Sequence, residues 1–457
     1  MEPIFDKIVV VSGTSGVGLS YVMDKARTLY GDQAAYASYE EYVKEIGKAG
    51  IYTAASNLLW TPSSALDVFS RAYNAMVDDL LDQKRAGAEI AFIETHLSYI
   101  SVHSLIPNPI LHRILSLGRE ATILYYVDDF YHSLLRMALR IREAPNLHIA
   151  EGFIIDPLSY LYWRGLDHSL LIMLRAQIPN IETLLVGAKH PEETHSRILQ
   201  YAGLPTHKAR RRFLLAYMSH PISGVRSDFF ELYKRGELKS LSEHPFVKRF
   251  ETFKRKLRRR CSNLILFEPT TVDEIVTPEN ETTTSYRVTK DNRWPHGREH
   301  EYEDLYPVDI FDNERFGPLY GASFATASML RAKTTSILDY GDEVRAYYIS
   351  RLLAIVKDQI EVRDYEYVAQ SSAVFAYEPI YKSIVTGEAN PSRGVRKEIN
   401  RAESQAKAIY VTSSEETIHK VADQTAGLFG ERVTPIKLSD PSDPEELIQI
   451  LREGRLC

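Results

Sequence analysis

The sequence predicts an α/β protein made of two doubly wound parallel sheets. Short apolar runs rich in β-branched residues recur along the chain, and segments with the apolar spacing of helices separate them. Strands that alternate with helices form parallel sheets covered by helices on both faces. A basic, loop-like stretch at 203–212 separates two such series. We therefore expect two domains, 1–205 and 206–457, joined by a linker.

The first domain begins with a predicted strand at Lys7–Ser12, a Gly-rich turn and a helix at about Leu19–Leu29. Further strands and helices follow in alternation. The strands are expected at Ile90–Glu94, Thr122–Val127 and Thr183–Val186, and the helices include Ala65–Arg85 and Asp156–Ala176.

The second domain repeats this alternation from Phe213 onward. Strands are expected at Phe213–Met218, Leu264–Phe267, Ala373–Tyr377 and Ala408–Val411, and helices at Pro245–Arg260, Asp342–Ile360 and Ser392–Ala406. Between about 269 and 340 lies a polar insertion rich in Thr, Glu and Tyr, which is too long for an ordinary connection in a compact sheet. We interpret the insertion as a lid or a partner contact.

The composition is that of a globular protein. The chain has 457 residues, of which 44% are hydrophobic and 25% charged, with a formal net charge of −6. That charge argues against a nucleic-acid coat protein and allows binding of free nucleotides. The two cysteines, Cys261 and Cys457, are too few and too badly placed for a disulfide framework or a zinc site. Because no signal peptide or membrane span is evident either, we expect a cytoplasmic protein, and a homo-oligomer stays open.

A phosphate-binding loop is predicted directly after the first strand, at Gly13-Thr14-Ser15-Gly16-Val17-Gly18-Leu19-Ser20. The glycines let backbone N–H groups surround a phosphate, and the following helix adds its positive end. Ser20 is a candidate Mg²⁺ ligand together with Asp128, and ATP or another nucleotide is the expected ligand. Leu19 replaces the usual lysine, so a cation must come from elsewhere, with Arg164 and Arg175 as candidates.

The first domain resembles the P-loop nucleoside monophosphate kinases, particularly the archaeal-type adenylate kinases. The resemblance rests on the loop and on Val22-Met23-Asp24-Lys25-Ala26 in the helix after it. A weaker match is Phe92-Ile93-Glu94-Thr95-His96, at the place where such kinases carry residues that face the acceptor nucleotide.

Three segments of the second domain carry polar residues suited to a sugar phosphate. The first, Tyr217–Arg226, ends a strand in hydroxyls, a glycine and an arginine. The second places Asp364 shortly before the strand at Ala373–Tyr377. The third, Asn390–Ala402, contains a Pro-Ser-x-Gly-Val turn that opens a helix and is followed by Glu398. Taken alone, Glu398 is better explained as a solvated carboxylate on the first turn of a helix, where it favours the helix dipole.

In this order, the three segments resemble the superfamily of nucleoside 2-deoxyribosyltransferases and 2′-deoxynucleoside 5′-phosphate N-hydrolases. The resemblance implies that Glu398 is the nucleophile and that Asp364 assists departure of the base or positions the sugar. It further implies that the substrate phosphate and sugar are bound by Tyr217, Ser219, Ser223, Gly224, Arg226, Ser392 and Gly394. The residues between Tyr377 and Pro391 lengthen one loop relative to the family pattern.

A helix at Pro245–Arg260 carries eight cations beside a stripe of Phe and Leu. A nucleic-acid patch is one interpretation. We favour a solvated outer face, paired with an acidic partner subunit, because the apolar stripe is suited to packing on the sheet.

Three functions fit these patterns. The first is an enzyme that cleaves or exchanges the N-glycosidic bond of a nucleoside 5′-monophosphate, with a nucleotide bound at the phosphate loop. The second is a nucleotide kinase, and the third a non-catalytic nucleotide sensor. Leu19 disfavours the kinase, and the presence of both Glu398 and Asp364 favours the enzyme over the sensor.

Overall fold

The structure, a computed structural model, describes residues 2–48, 50–101, 104–129, 133, 136, 157–239, 241–272, 284–287, 305–308, 342–414 and 433–457. Its strands are β1 (Phe5–Gly13), β2 (Ala34–Ser38), β3 (Ile90–Glu94), β4 (Ser98–Ser101), β5 (Ser104–Pro107), β6 (Gly118–Val127), β7 (Ile181–Gly187), β8 (Leu214–Ser219), β9 (Leu264–Phe267), β10 (Thr284–Arg287), β11 (Leu305–Val308), β12 (Ala373–Tyr377), β13 (Ile380–Lys382), β14 (Ala389–Pro391), β15 (Ala408–Ser414) and β16 (Val433–Leu438).

The α-helices of the described residues cover the faces of two sheets. They are α1 (Leu19–Tyr30), α2 (Tyr39–Gly47), α3 (Ile51–Trp60), α4 (Pro62–Arg85), α5 (Leu111–Leu115), α6 (Pro157–Gln177), α7 (Glu192–Gly203), α8 (Thr206–Arg212), α9 (Ile222–Lys234), α10 (Pro245–Arg260), α11 (Asp342–Gln370), α12 (Arg393–Ser404) and α13 (Glu445–Glu453).

The first sheet is parallel and has the strand order β2-β3-β1-β6-β7. Its central strand β1 is buried along most of its length, and Val9, Val10 and Val11 have no exposed surface. A strand buried on both faces needs a continuous apolar run, which is the pattern that the sequence shows here.

The second sheet is also parallel and has the strand order β16-β15-β12-β8-β9. Numbered along the chain, its strands stand in the order 5-4-3-1-2, so the direction of winding reverses between β8 and β12. Ligands of such sheets bind outside the carboxyl ends of the strands at that reversal. Both sheets are flanked by helices, which confirms the predicted α/β, doubly wound fold class.

The first sheet shares a hydrophobic core with one face of the second sheet. Buried apolar side chains form a cluster that extends from β1 through Val186 of β7 to Val374 of β12, and a second cluster, which includes Phe375 of β12, covers the other face of the second sheet. Helix α11 completes the contact, because the side-chain amide of Gln370 donates to Leu185 O and accepts from Leu185 N, both at 2.8 Å. The halves are therefore packed together and not only linked by the chain.

Two expectations about local structure were wrong. The stretch at 203–212 is not an extended linker, because Thr206–Arg212 forms α8. Helix α11 does not end at Ile360 but continues to Gln370, which places Asp364 within a helix. Most of the insertion at about 269–340 lies outside the described residues. Two short strands of it are described, β10 and β11, and they pair antiparallel.

The cysteines and the basic helix also differ from expectation. Cys261 and Cys457 form a disulfide with their Cα atoms 5.0 Å apart, so the last residue is tied to the end of α10. Lys254 and Arg258 of α10 are buried and not solvated, and the buried carboxylate of Glu268 pairs with both. Among the described helices, none combines the length and the apolar character needed to cross a bilayer.

Candidate functional site

The phosphate loop connects the carboxyl end of β1 to the start of α1. Gly16 and Gly18 have φ angles of 85° and 88°, in the left-handed region that favours glycine. A Cβ atom on Gly16 would lie 2.6 Å from the carbonyl oxygen of Ser133. A side chain at Gly16 is thus excluded both by the backbone conformation and by the carbonyl group of Ser133.

Buried aromatic residues hold the loop from beneath. The Thr14 hydroxyl lies 2.6 Å from the Tyr160 hydroxyl of α6. His96, which follows β3, donates from Nδ1 to the carbonyl oxygen of Gly13 at 2.6 Å. His96 and Tyr160 both make edge-on contacts with the ring of Trp163. The contact of Tyr160 with this loop was not predictable from the sequence, since α6 lies far from the loop along the chain.

Leu19, which stands where the loop lysine would be, is buried against the loop. Leu19 is only 7% exposed, and its Cδ2 atom lies 3.4 Å from the place of a Cβ on Gly13. Val17 is buried as well, Ser15 is partly exposed and Ser20 is exposed. The leucine therefore closes the inside of the loop and offers no charge to a phosphate.

Arg136 contacts the loop directly, which the sequence did not indicate. Its Nε atom donates to the carbonyl oxygen of Gly16, and its Nη2 atom donates to Asp128 Oδ2. The two arginines proposed from the sequence lie elsewhere. Arg164 donates to the backbone oxygen of Asp128 at 3.1 Å and to Gln359 at 2.7 Å, and Arg175 pairs with Glu366 on the surface.

Asp128, the expected Mg²⁺ ligand, is already engaged by protein groups. Its Oδ1 accepts from the backbone N–H of Asp129 at 2.8 Å, its Oδ2 pairs with Arg136, and Lys189 Nζ lies 3.8 Å from Oδ1. Lys189 also pairs with Asp129 at 2.5 Å. Within the described residues, no group of three or more His, Cys, Asp or Glu side chains is placed to hold a metal. This arrangement does not fit a Mg²⁺ site at Asp128.

The second candidate site centres on Glu398 of α12, which is 8% exposed. Tyr217 donates its hydroxyl to Glu398 Oε1 at 2.9 Å, and Ser219 donates to Oε2. Both donors project from the same face of β8, because residues two apart on a strand share a face. They stand at the carboxyl end of β8, next to the reversal of winding.

Asp364 reaches the same site from α11. The Arg363 guanidinium donates to Asp364 Oδ1 from Nε at 3.1 Å and from Nη2 at 2.9 Å. Burial and the negative charge of Asp364 raise the pKa of Glu398 to about 8, although the hydrogen bonds from Ser219 and Tyr217 favour its ionised form. The structure therefore brings the two predicted catalytic carboxyls together, with one proton favoured on the pair near neutral pH.

The residues predicted to bind phosphate stand at the starts of two helices. Ser392 caps α12 and accepts from the backbone N–H of Val395, and Gly394 beside it faces open space. Ser223 is exposed and Arg226 half-buried on the first turns of α9. Tyr217 and Ser219, which are predicted to bind substrate, donate hydrogen bonds to Glu398.

A hairpin formed by β13 and β14 connects these two helix starts. The ring of Tyr381 lies against Gly224, where an added Cβ would come within 2.8 Å of it. Tyr381, Ser383 and the backbone N–H of Ile384 all donate to the carboxylate of Asp228 in α9 at 2.7 Å. The residues that lengthen the loop before Pro391 thus form an anchored hairpin at the carboxyl edge of the sheet.

Asp228 was missed at the sequence level, although a signal for it exists. It lies three residues after Val225 and four before Leu232, both of which are buried on the same face of α9. A carboxylate on the apolar face of a helix indicates a buried hydrogen-bonding role. Arg136 and Lys189 carry no comparable signal, because their role depends on the packing of distant strands.

Comparison with known proteins gives little further guidance. No family model and no curated protein matches this chain. Among solved structures, it is similar to a chain in a study of the PezAT chromosomal toxin-antitoxin system of the human pathogen Streptococcus pneumoniae. That match has 13% identity and a TM-score of 0.25, and it covers 40% of this chain and 70% of the other.

Proposed function

We propose that this protein cleaves or exchanges the N-glycosidic bond of a nucleoside 5′-monophosphate at Glu398, and that its phosphate loop binds ATP or another nucleotide. One observation carries the proposal. A buried carboxyl group is held by Tyr217 and Ser219 beside a second carboxyl, Asp364, at the winding reversal of a parallel sheet. Glycosyl transfer requires such a pair.

The proposed chemistry assigns one task to each carboxyl. Ionised Glu398 attacks the anomeric carbon, the bond between that carbon and the base nitrogen breaks, and its electron pair leaves with the base. The base accepts a proton in the same step, which Asp364 delivers or directs. Water or a second base then displaces Glu398 from the sugar. Because Glu398 acts as the nucleophile, it must lose its own proton to solvent before the attack.

The substrate phosphate is assigned to the helix starts at the same edge. At the N-terminus of α12, Ser392 is partly exposed and Gly394 is exposed, and the cationic side chain of Arg226 lies on α9. The anchored hairpin holds the starts of α9 and α12 at one edge of the sheet, which is the arrangement that a single phosphate contact needs.

A non-catalytic nucleotide sensor is the alternative that one observation favours. With a pKa of about 8, Glu398 is mostly protonated at neutral pH, and a protonated carboxyl is not a nucleophile. Kinase activity is disfavoured by the buried Leu19 in the place of the loop lysine.

Measurement of free base released from ribo- and deoxyribonucleoside 5′-monophosphates, with and without ATP, tests the proposal. We expect Glu398→Gln to abolish release with monophosphate binding retained, and Asp364→Asn to reduce turnover less completely. Glu361→Gln is the matched control, because Glu361 lies one turn before Asp364 on α11 and pairs with Lys397 at the surface. Release by folded Glu398→Gln at the wild-type rate would rule out Glu398 as the nucleophile, whereas absence of base release by the wild-type protein would favour the sensor.

A further inference from the structure

The phosphate loop lacks the positive charge that its chemistry requires. A nucleoside triphosphate carries several negative charges, and backbone N–H groups offset only part of them. Leu19 is packed into the loop and contributes none. A cation that replaces the lysine must reach the loop from another part of the fold.

Arg136 has the position that this role needs. It follows β6, the strand beside β1, and its guanidinium bridges Gly16 of the loop to Asp128 at the end of β6. The side chain keeps 18% of its surface exposed, whereas the Asp128 side chain keeps 1%. Its planar fork of donors is suited to phosphate oxygens.

The neighbouring cations, Lys189 and Arg164, are bound to other groups. Lys189 is 5% exposed and pairs with Asp129 at 2.5 Å, with Asp128 also within 4 Å. Arg164 is 6% exposed and bonds to the backbone of Asp128 and to Gln359. Arg136 contacts the loop itself, through the carbonyl oxygen of Gly16.

We propose that Arg136 replaces the loop lysine as the phosphate-binding cation, and that the loop binds a nucleoside triphosphate without a divalent metal ion. The second part follows from the first, because the contact that brings Arg136 to the loop also occupies the carboxylate expected to hold Mg²⁺. The inference rests on the proposed nucleotide binding and names the group that performs it.

Calorimetric titration with ATP, in EDTA and in Mg²⁺, tests the inference on the full chain. The wild-type protein is expected to bind ATP in EDTA with an affinity within about threefold of that in Mg²⁺. Arg136→Gln should weaken binding roughly tenfold or more, since a charge-assisted contact is lost. Leu19→Lys combined with Arg136→Gln should restore it, and Arg85→Gln, at the exposed end of α4, should change nothing.

The results separate two failures. If wild-type protein binds no ATP under either condition, nucleotide binding at the loop is wrong and this inference falls with it, whereas base release is judged by its own assay. If ATP binds but requires Mg²⁺, or if folded Arg136→Gln binds as well as wild type, only the inference is overturned. Arg136→Lys is a control for misfolding, because it keeps a positive charge beside Asp128. The affinity of this variant for ATP should lie between those of the wild-type protein and Arg136→Gln.

Discussion

The roles of Tyr217 and Ser219 depend on the residue that packs against them, which is Glu398 of α12. The motif around them correctly suggested that they belong with Glu398, since all three meet at one site. Their task as donors to Glu398 was not predictable, because it depends on how α12 lies on the sheet. The proximity of Asp364 was likewise expected, but its place on a helix and its pairing with Arg363 were not.

The raised pKa of Glu398 predicts the pH dependence of base release. A nucleophile acts in its ionised form, so kcat/KM should rise with pH up to about 8 and then level off. Asp364→Asn removes a negative charge that raises this pKa, so the remaining activity should rise at lower pH. Initial rates measured from pH 6 to 9 test both points. A rate that falls through pH 8 would instead make Glu398 the acid.

Helix α10 shows what sequence periodicity reports and what it omits. Its bounds agree with the prediction, yet two of its cations are buried. Lys254 and Arg258 follow Phe250 at intervals of four and so share its buried face, a pattern that the density of charge concealed. Their partner Glu268 comes from the end of β9, and no local pattern links the two segments.

Removal of Glu268 should destabilise the fold far more than removal of a surface partner of the same helix. Glu268→Gln leaves Lys254 and Arg258 buried without their shared carboxylate, with an expected loss of about 3–5 kcal/mol. Asp443→Asn removes the partly exposed partner of Lys256 and Arg260 and should cost less than about 1 kcal/mol. Urea unfolding of both variants gives the comparison; equal losses would contradict a buried network.

For the molecule as a whole, the alternation of strands and helices was enough to predict two parallel, doubly wound sheets. It did not predict the order of the strands or the common core. Periodicity records that a side chain is buried, but not which element buries it. The contact between Gln370 and Leu185 could not be predicted for this reason, because a polar residue at the end of a helix gives no indication of a strand edge nearby.

Buried carboxyls should make the folded chain less stable as pH rises from 6.5 to 8. Burial raises the pKa of Glu40, Glu94 and Asp167 to about 7, in addition to that of Glu398. An acid whose pKa is raised by folding contributes stability that is lost as pH rises through the folded value.

Thermal unfolding across this range measures the effect, and Glu398→Gln should reduce it. The buried histidines offset it only in part, because burial lowers their pKa values and a histidine of the unfolded chain, with a pKa of about 6.5, is largely neutral above about pH 7.5. A melting temperature that rises from pH 6.5 to 8 would contradict the prediction.

The bond between Gln370 and Leu185 also bears on how the chain is handled experimentally. Strand β7 is an edge of the first sheet, and an open edge is a template for aggregation. Helix α11 shields that edge, but it belongs to the other half of the sequence. A fragment that ends near residue 205 would expose both the edge and the apolar surface beneath α11. We therefore expect such a fragment to precipitate on expression, so biochemical assignment of either half is best made by point substitution in the intact chain.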